Sequence, residues 1–159
     1  MLPSITAGHA LSAFTSQNYG AKKYDRIREG VRVVFLIALI SYLLMGPVIV
    51  LFPQLLAGLM LTGSEPIALF SSYMRILGVT MILMNLLFVF RYCNQGMGHP
   101  LIPICSGILE MVFRVIVISI FLPKIGFPAT AYAEAAAWLG ALTLNLLGYI
   151  KFRQKKSIS

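Results

Sequence analysis

Charge is what this 159-residue chain has least of. Charged residues make up 11% of it, whereas a water-soluble domain carries about 25%. Too few are present to cover a surface that faces water. Acids are scarcer than bases, five against 13, and no charged residue at all lies between Arg32 and Glu65. The two cysteines, Cys93 and Cys105, form neither a disulfide framework nor a metal-ligand spacing and read as ordinary membrane-helix residues. His99 in a glycine-rich turn reads as solvated, and His9 as a residue at the cut edge of a helix rather than a ligand. No nucleophile elbow, metal-ligand cluster or phosphate loop is present; NQGMGHP at 94–100 lacks the Lys-Ser/Thr that completes a phosphate loop. An enzyme is not expected. Nor is a signal peptide, because no positive region precedes the apolar Leu2 to Phe14.

What is present is oil. Hydrophobic residues make up 58% of the chain and the mean hydropathy is +0.85. Four runs are long enough to cross a hydrocarbon core of about 30 Å: 33–52, 67–90, 101–122 and 129–150. The segment 2–14 is too short to cross and reads as half of a span. Gly20 is positioned to take the positive φ that often ends a helix. Between these elements 17–32, QNYGAKKYDRIREGVR, is expected as a cytoplasmic loop with a short amphipathic helix from Lys22. Asp25–Arg28 and Glu29–Arg32 are spaced to support that helix as ion pairs. Pro47 is expected to kink the first full span. An outer loop at 53–66 carries a short interfacial helix around Leu55 to Leu61, and 151–159 is a basic tail.

The net charge of +8 fixes orientation and does not signal nucleic acid, because the bases flank apolar runs. Ten of the 13 bases fall on one side: five between Lys22 and Arg32, Arg91, and four between Lys151 and Lys156. The other side holds Lys124 alone, with Arg75 and Arg114 inside spans. The positive-inside rule therefore places the C-terminus in the cytoplasm of a multi-pass plasma (inner) membrane protein. Membrane lipid is an expected partner, through the pull of the basic segments on anionic headgroups.

The order AFTSQNYGAKKYDRIREGVR, YMRIL, NQGMGHPLIP with Glu110 and Arg114 following, and AEAAAW resembles the C-terminal lobe of the MATE (multidrug and toxic compound extrusion) transporters. The resemblance covers nearly the whole chain. It implies an all-α membrane protein with four complete transmembrane helices after an N-terminal half-helix, matching part of the eighth helix to the twelfth. The family has twelve helices in two six-helix lobes related by a two-fold axis along the membrane normal. It further implies a partial lobe, a fragmentary reading of a longer gene, whose missing N-terminal lobe is a partner. The implied activity is export of amphipathic, often cationic, small molecules in exchange for H+ or Na+, with no cofactor beyond the coupling ion. Where the sodium-driven branch carries an aspartate in its tenth helix, this sequence reads Met84–Asn85. A stand-alone four-helix subunit or regulator, and a lipid-linked oligosaccharide flippase of the same superfamily, are the alternatives.

Four charged residues lie within spans: Arg75, Glu110, Arg114 and Glu134. Each central charge costs roughly 2.5–3.5 kcal/mol to insert. The fourteen Leu, Ile, Val and Phe of 101–122 return only roughly 4–8 kcal/mol. With two charges on board, that helix needs partners for them. Glu110 and Arg114 are spaced for a same-face pair. Arg75 and Arg114 each lie about 12 Å from the outer ends of their spans, and Glu134 about 8 Å from its own. Glu134 is thus expected to neutralise Arg75 or Arg114 across helices. Polar or small-residue stripes run through Ser71, Arg75, Gly78 and Asn85, through Pro103, Ser106, Gly107, Glu110 and Arg114, and through Glu134, Trp138, Ala141, Asn145 and Gly148. The first full span has no such stripe and is expected to face lipid. Arg75, Asn85, Glu110, Arg114, Glu134 and Asn145 are the candidate cavity or ion-pair residues. Whether they serve as packing pairs or line a solute or ion route stays open at this level.

Overall fold

The structure, a computed structural model, describes residues 2–157, with side chains described for residues 4–154. The expectation that Lys155 and Lys156 extend the basic tail concerns side chains outside that range. Six helices follow one another: α1 (Leu2–Gly20), α2 (Tyr24–Leu51), α3 (Pro53–Gly58), α4 (Ser64–Gly96), α5 (Leu101–Ile125) and α6 (Pro128–Ser157). No strand occurs among the described residues. Four helices are long and apolar enough to cross a membrane: α2, α4, α5 and α6 over Pro128–Gln154.

α4 and α6 overrun their apolar spans on both sides, α2 at its start and α5 at its end. The 33 residues of α4 reach about 50 Å at 1.5 Å per residue, well beyond a ~30 Å core. A helix satisfies its own backbone hydrogen bonds, so arrival at charged residues does not end it. In the 17–32 segment the helix expected from Lys22 starts at Tyr24 and runs on into the first full span as α2, and only residues 21–23 break the path between α1 and α2. The break itself corrects a detail. Gly20 remains the last residue of α1, and the positive φ falls on Lys22, at 57°. The amides of Ala21, Lys22 and Lys23 donate to the carbonyls of Gln17, Tyr19 and Asn18 and close the helix end. The Asn18 side chain donates to the Phe14 carbonyl at 2.8 Å, tying it into the last turns of α1.

Of the two ion pairs expected here, Asp25–Arg28 forms at 3.0 Å. Glu29–Arg32 is not among the ion pairs of the described residues, for a geometric reason. Glu29 turns toward the groove between α1 and α2, whereas Arg32 turns toward α6.

The bundle is organised around α4, which packs against α1, α2, α3 and α6. One apolar cluster joins α1, α2, α4 and the end of α6 through Leu11, Ile27, Val31, Val89, Cys93 and Phe152. A second joins α4 to α6 through Met84, Leu87, Trp138, Ala141 and Leu142. The backbones of α1 and α4 come close at Gly96, where a Cβ would lie 2.8 Å from the Thr15 Cβ and press on the Ser12 carbonyl. No side chain larger than hydrogen fits there. The helix expected to be the most lipid-exposed, α2, is surpassed by α5, whose one buried residue is Ser106. The physical reason is one-sided packing: α5 lies mainly along α6 and scarcely meets the other helices.

Candidate functional site

Because α5 meets the bundle along one face, its two charges must be satisfied from that face. Glu110 and Arg114 are one turn apart there. The Arg114 Nη2 donates to Glu134 Oε2 on α6 at 2.9 Å and lies 3.7 Å from Glu110 Oε2. The other oxygen of Glu110 accepts from Nη2 of Arg91 on α4 in a short contact. Arg91 also donates to the Ser106 hydroxyl at 2.9 Å, and that hydroxyl donates to the Pro103 carbonyl at 2.8 Å. The result is a line of alternating sign, Arg91, Glu110, Arg114, Glu134, that crosses from α4 through α5 to α6.

The line carries no net charge, and this is what makes it tolerable in hydrocarbon. Each member alone would oppose insertion, whereas each here has an opposite neighbour and a charge-assisted hydrogen bond. Glu110, between two arginines, is the most enclosed member, with a side chain 12% exposed. The Nε donors of Arg91 and Arg114 are buried without a protein acceptor. An unpaired donor is therefore buried at Arg91, at one end of the line, and another at Arg114 within it. Beyond Glu134, Tyr73 lies within the field of both Glu134 and Arg114. Its ring packs against Phe127 at 5.6 Å and Phe70 at 6.0 Å.

Asn145 occupies a second, separate polar position. It is fully buried, and its amide nitrogen donates to the Ala141 carbonyl at 2.9 Å. Asn94 of α4 donates to the Asn145 backbone carbonyl at 2.8 Å and more weakly to its side-chain oxygen at 3.3 Å. This pair clamps α4 to α6 near the Arg-rich end of the bundle.

Of the six candidate residues, Glu110, Arg114 and Glu134 come together and Asn145 joins the second pair. Asn85 is buried beside Met84 and Leu87 and joins neither network. Arg75 is exposed and has no ion-pair partner among the described residues. Of the two arginines proposed for Glu134, Arg114 is the one it meets. Arg91 and Asn94 are not expected as site residues from the sequence, because Arg91 to Pro100 reads as a turn. Their signal is periodic: Met84, Leu87, Arg91 and Asn94 continue the inward face of α4 at helical spacing, and no glycine lies between Gly78 and Gly96. Cys93 is buried and Cys105 exposed, both free. No group of His, Cys, Asp and Glu that could hold a metal occurs among the described residues.

The comparisons agree with this architecture. A solved structure described as the inward-facing conformation of a multidrug resistance MATE family transporter of the MOP superfamily superposes with a TM-score of 0.72 at 17% identity. The superposition covers 91% of this chain and 34% of that one, so the chain spans about a third of that transporter's length. No curated protein sequence matches the chain. The MatE family model matches residues 1–120, three quarters of the chain and every element from α1 through most of α5. With that match over a bundle of four membrane-crossing helices, the chain belongs to the MATE family of membrane transporters, which are not enzymes.

Proposed function

We propose that this bundle forms most of one wall of a secondary active transporter that exports amphipathic, often cationic, compounds from the cytoplasm in exchange for H+ or Na+. The observation that carries the reading is the neutral charge line Arg91–Glu110–Arg114–Glu134 within membrane-crossing helices. Ionisable groups retained in hydrocarbon mark routes for ions or solutes by default. The likeness to a multidrug resistance transporter supports the substrate class. Glu110 and Glu134 are the only carboxylates within the apolar spans, and they are the groups this bundle offers a coupling proton. Protonating either would leave an arginine partly uncompensated and alter how α5 seats on α4 and α6. The ten bases on one side of the spans support a plasma-membrane location with the C-terminus in the cytoplasm.

Alternating access requires a second lobe to rock against. Joined in frame to the first six-helix lobe and the seventh helix of a family member, the bundle should lower accumulation of a cationic dye in energised cells. The Glu110→Gln and Glu134→Gln variants should lose that effect while still reaching the membrane. Dye accumulation unaffected by the joined protein, in both sodium and proton gradients, would refute the reading. Expressed alone, the 159-residue chain should leave accumulation unchanged.

A further inference from the structure

The end of the bundle away from Glu134 holds a pocket that the charge line does not use. It has a volume of about 520 Å³ and is formed where the start of α2 meets the ends of α4 and α6. Arg28, Arg32 and Phe35 enter from α2, Phe90 from α4, and Tyr149 and Arg153 from α6. No acidic side chain lines it. Arg28 is partly compensated by Asp25, whose own side chain is 95% exposed and points away into solvent. Arg32 and Arg153 have no ion-pair partner among the described residues. The fields of all three guanidinium groups meet at the Tyr149 hydroxyl. Three cations around one hydroxyl, with Asp25 meeting only Arg28 and from the solvent side, repel one another, and a bound anion would relieve that repulsion.

The chemistry of the walls says which anion. The floor is aromatic, with Phe90 5.4 Å from Tyr149 centre to centre. The mouth opens onto an unbroken apolar face of α2, where Leu36, Ile40 and Leu44 are all more than half exposed at successive helical turns. A ligand that fits has a phosphate at one end and a hydrocarbon chain at the other. The charged end lies at the level of α2's first turns and α6's last, where a membrane helix leaves the hydrocarbon and meets headgroups. Guanidinium groups bind phosphate with paired, directed hydrogen bonds. We infer that this pocket is a binding site for an anionic phospholipid, its phosphate held by Arg28, Arg32 and Arg153 and its acyl chain laid along Leu36, Ile40 and Leu44. The site is independent of the transport reading, since it requires only that the bundle lie in a membrane.

Native mass spectrometry of the purified 159-residue chain, titrated with phosphatidylglycerol or phosphatidylcholine in detergent, tests this. The expected result is one phosphatidylglycerol retained per chain and far less phosphatidylcholine. Each basic residue near an anionic headgroup is worth a factor of roughly 5, so R32Q/R153Q should lower retention roughly 25-fold. The K23Q/K151Q variant removes the same charge from exposed positions outside the pocket and should retain lipid as the parent does. Equal losses in the two double variants would mean diffuse surface attraction and would overturn the site. Equal retention of both lipids would do the same. Inorganic phosphate, added alone at millimolar concentration, should not displace the lipid; full displacement would reassign the pocket to a soluble anion.

Discussion

Arg114 on α5 and Glu134 on α6 meet at 2.9 Å, and they form the outermost link of a four-residue line of alternating charge. Their side chains are 39% and 28% exposed, between the regimes of surface pairs, worth at most about 1 kcal/mol, and buried pairs, whose breakage costs about 3–5 kcal/mol. Glu134→Gln should therefore destabilise the bundle by about 1–3 kcal/mol, because Arg114 keeps only its longer contact to Glu110. Arg114→Gln should cost a similar amount. The double variant should be more stable than the sum of the two losses by about 0.5–3 kcal/mol. Unfolding in detergent of all four forms measures this coupling; strictly additive losses would show that the contact holds nothing.

This link is legible in the sequence, and the reason is energetic. A helix carrying two uncompensated charges barely inserts, so partners have to exist, and the depth of each charge restricts the choice to Arg75 or Arg114. The other half of the line is hidden by a boundary. Ending the apolar span at Phe90 puts Arg91 and Asn94 in a turn, where an arginine has no need of a partner. In the structure α4 runs to Gly96, and both residues face inward. Charge marks where hydrocarbon ends, but backbone hydrogen bonding decides where a helix ends. The same confusion separates the amphipathic helix expected from Lys22 from the span that follows, whereas the two are one helix, α2. Orientation of side chains around the axis is less accessible. Arg75, in a stripe with Ser71 and Gly78, is exposed while those two are buried.

The Asn94–Asn145 contact supports an asymmetric prediction. Asn94 donates mainly to a backbone carbonyl, which survives any substitution at position 145. Asn145→Ala should therefore keep the stronger of the two hydrogen bonds and cost little beyond packing. Asn94→Ala removes both and leaves that buried carbonyl without its side-chain donor. Interhelical hydrogen bonds in membranes average about 0.6 and reach about 1.7 kcal/mol. Asn94→Ala should lie near the upper value and exceed the Asn145→Ala loss of hydrogen bonding. The reverse order in unfolding measurements would place the clamp elsewhere.

Two glycines should respond in opposite ways to the same methyl group. At Gly96 the new carbon meets the Ser12 backbone and Thr15 of α1, neither of which can swing aside. Gly96→Ala should force α1 and α4 apart at a cost of about 1–3 kcal/mol. Gly107, on α5, has nothing within 4 Å of a built Cβ. Gly107→Ala should instead gain about 0.5–1 kcal/mol from reduced chain entropy in a helix interior. Thermal unfolding of the two variants beside the parent decides it, and destabilisation by both would show that α5 packs more closely than the structure has it.

Orientation follows from the bases and can be read at two loops. His99 between α4 and α5 is exposed, as is Ser64 at the start of α4, at the opposite end of the same helix. Cys93 is buried and can stay, whereas Cys105 is exposed and is removed as Cys105→Ala. In that background a membrane-impermeant maleimide added to intact cells should label Ser64→Cys and spare His99→Cys. Permeabilised cells should label both. The expected asymmetry rests on ten of 13 bases lying on the His99 side, where the positive-inside rule sets the cytoplasm. Labelling of His99→Cys in intact cells, with Ser64→Cys protected, would put those bases outside and invert the bundle. The pocket formed by Arg28, Arg32 and Arg153 would then face the outer leaflet, so this labelling also fixes which leaflet supplies its phospholipid.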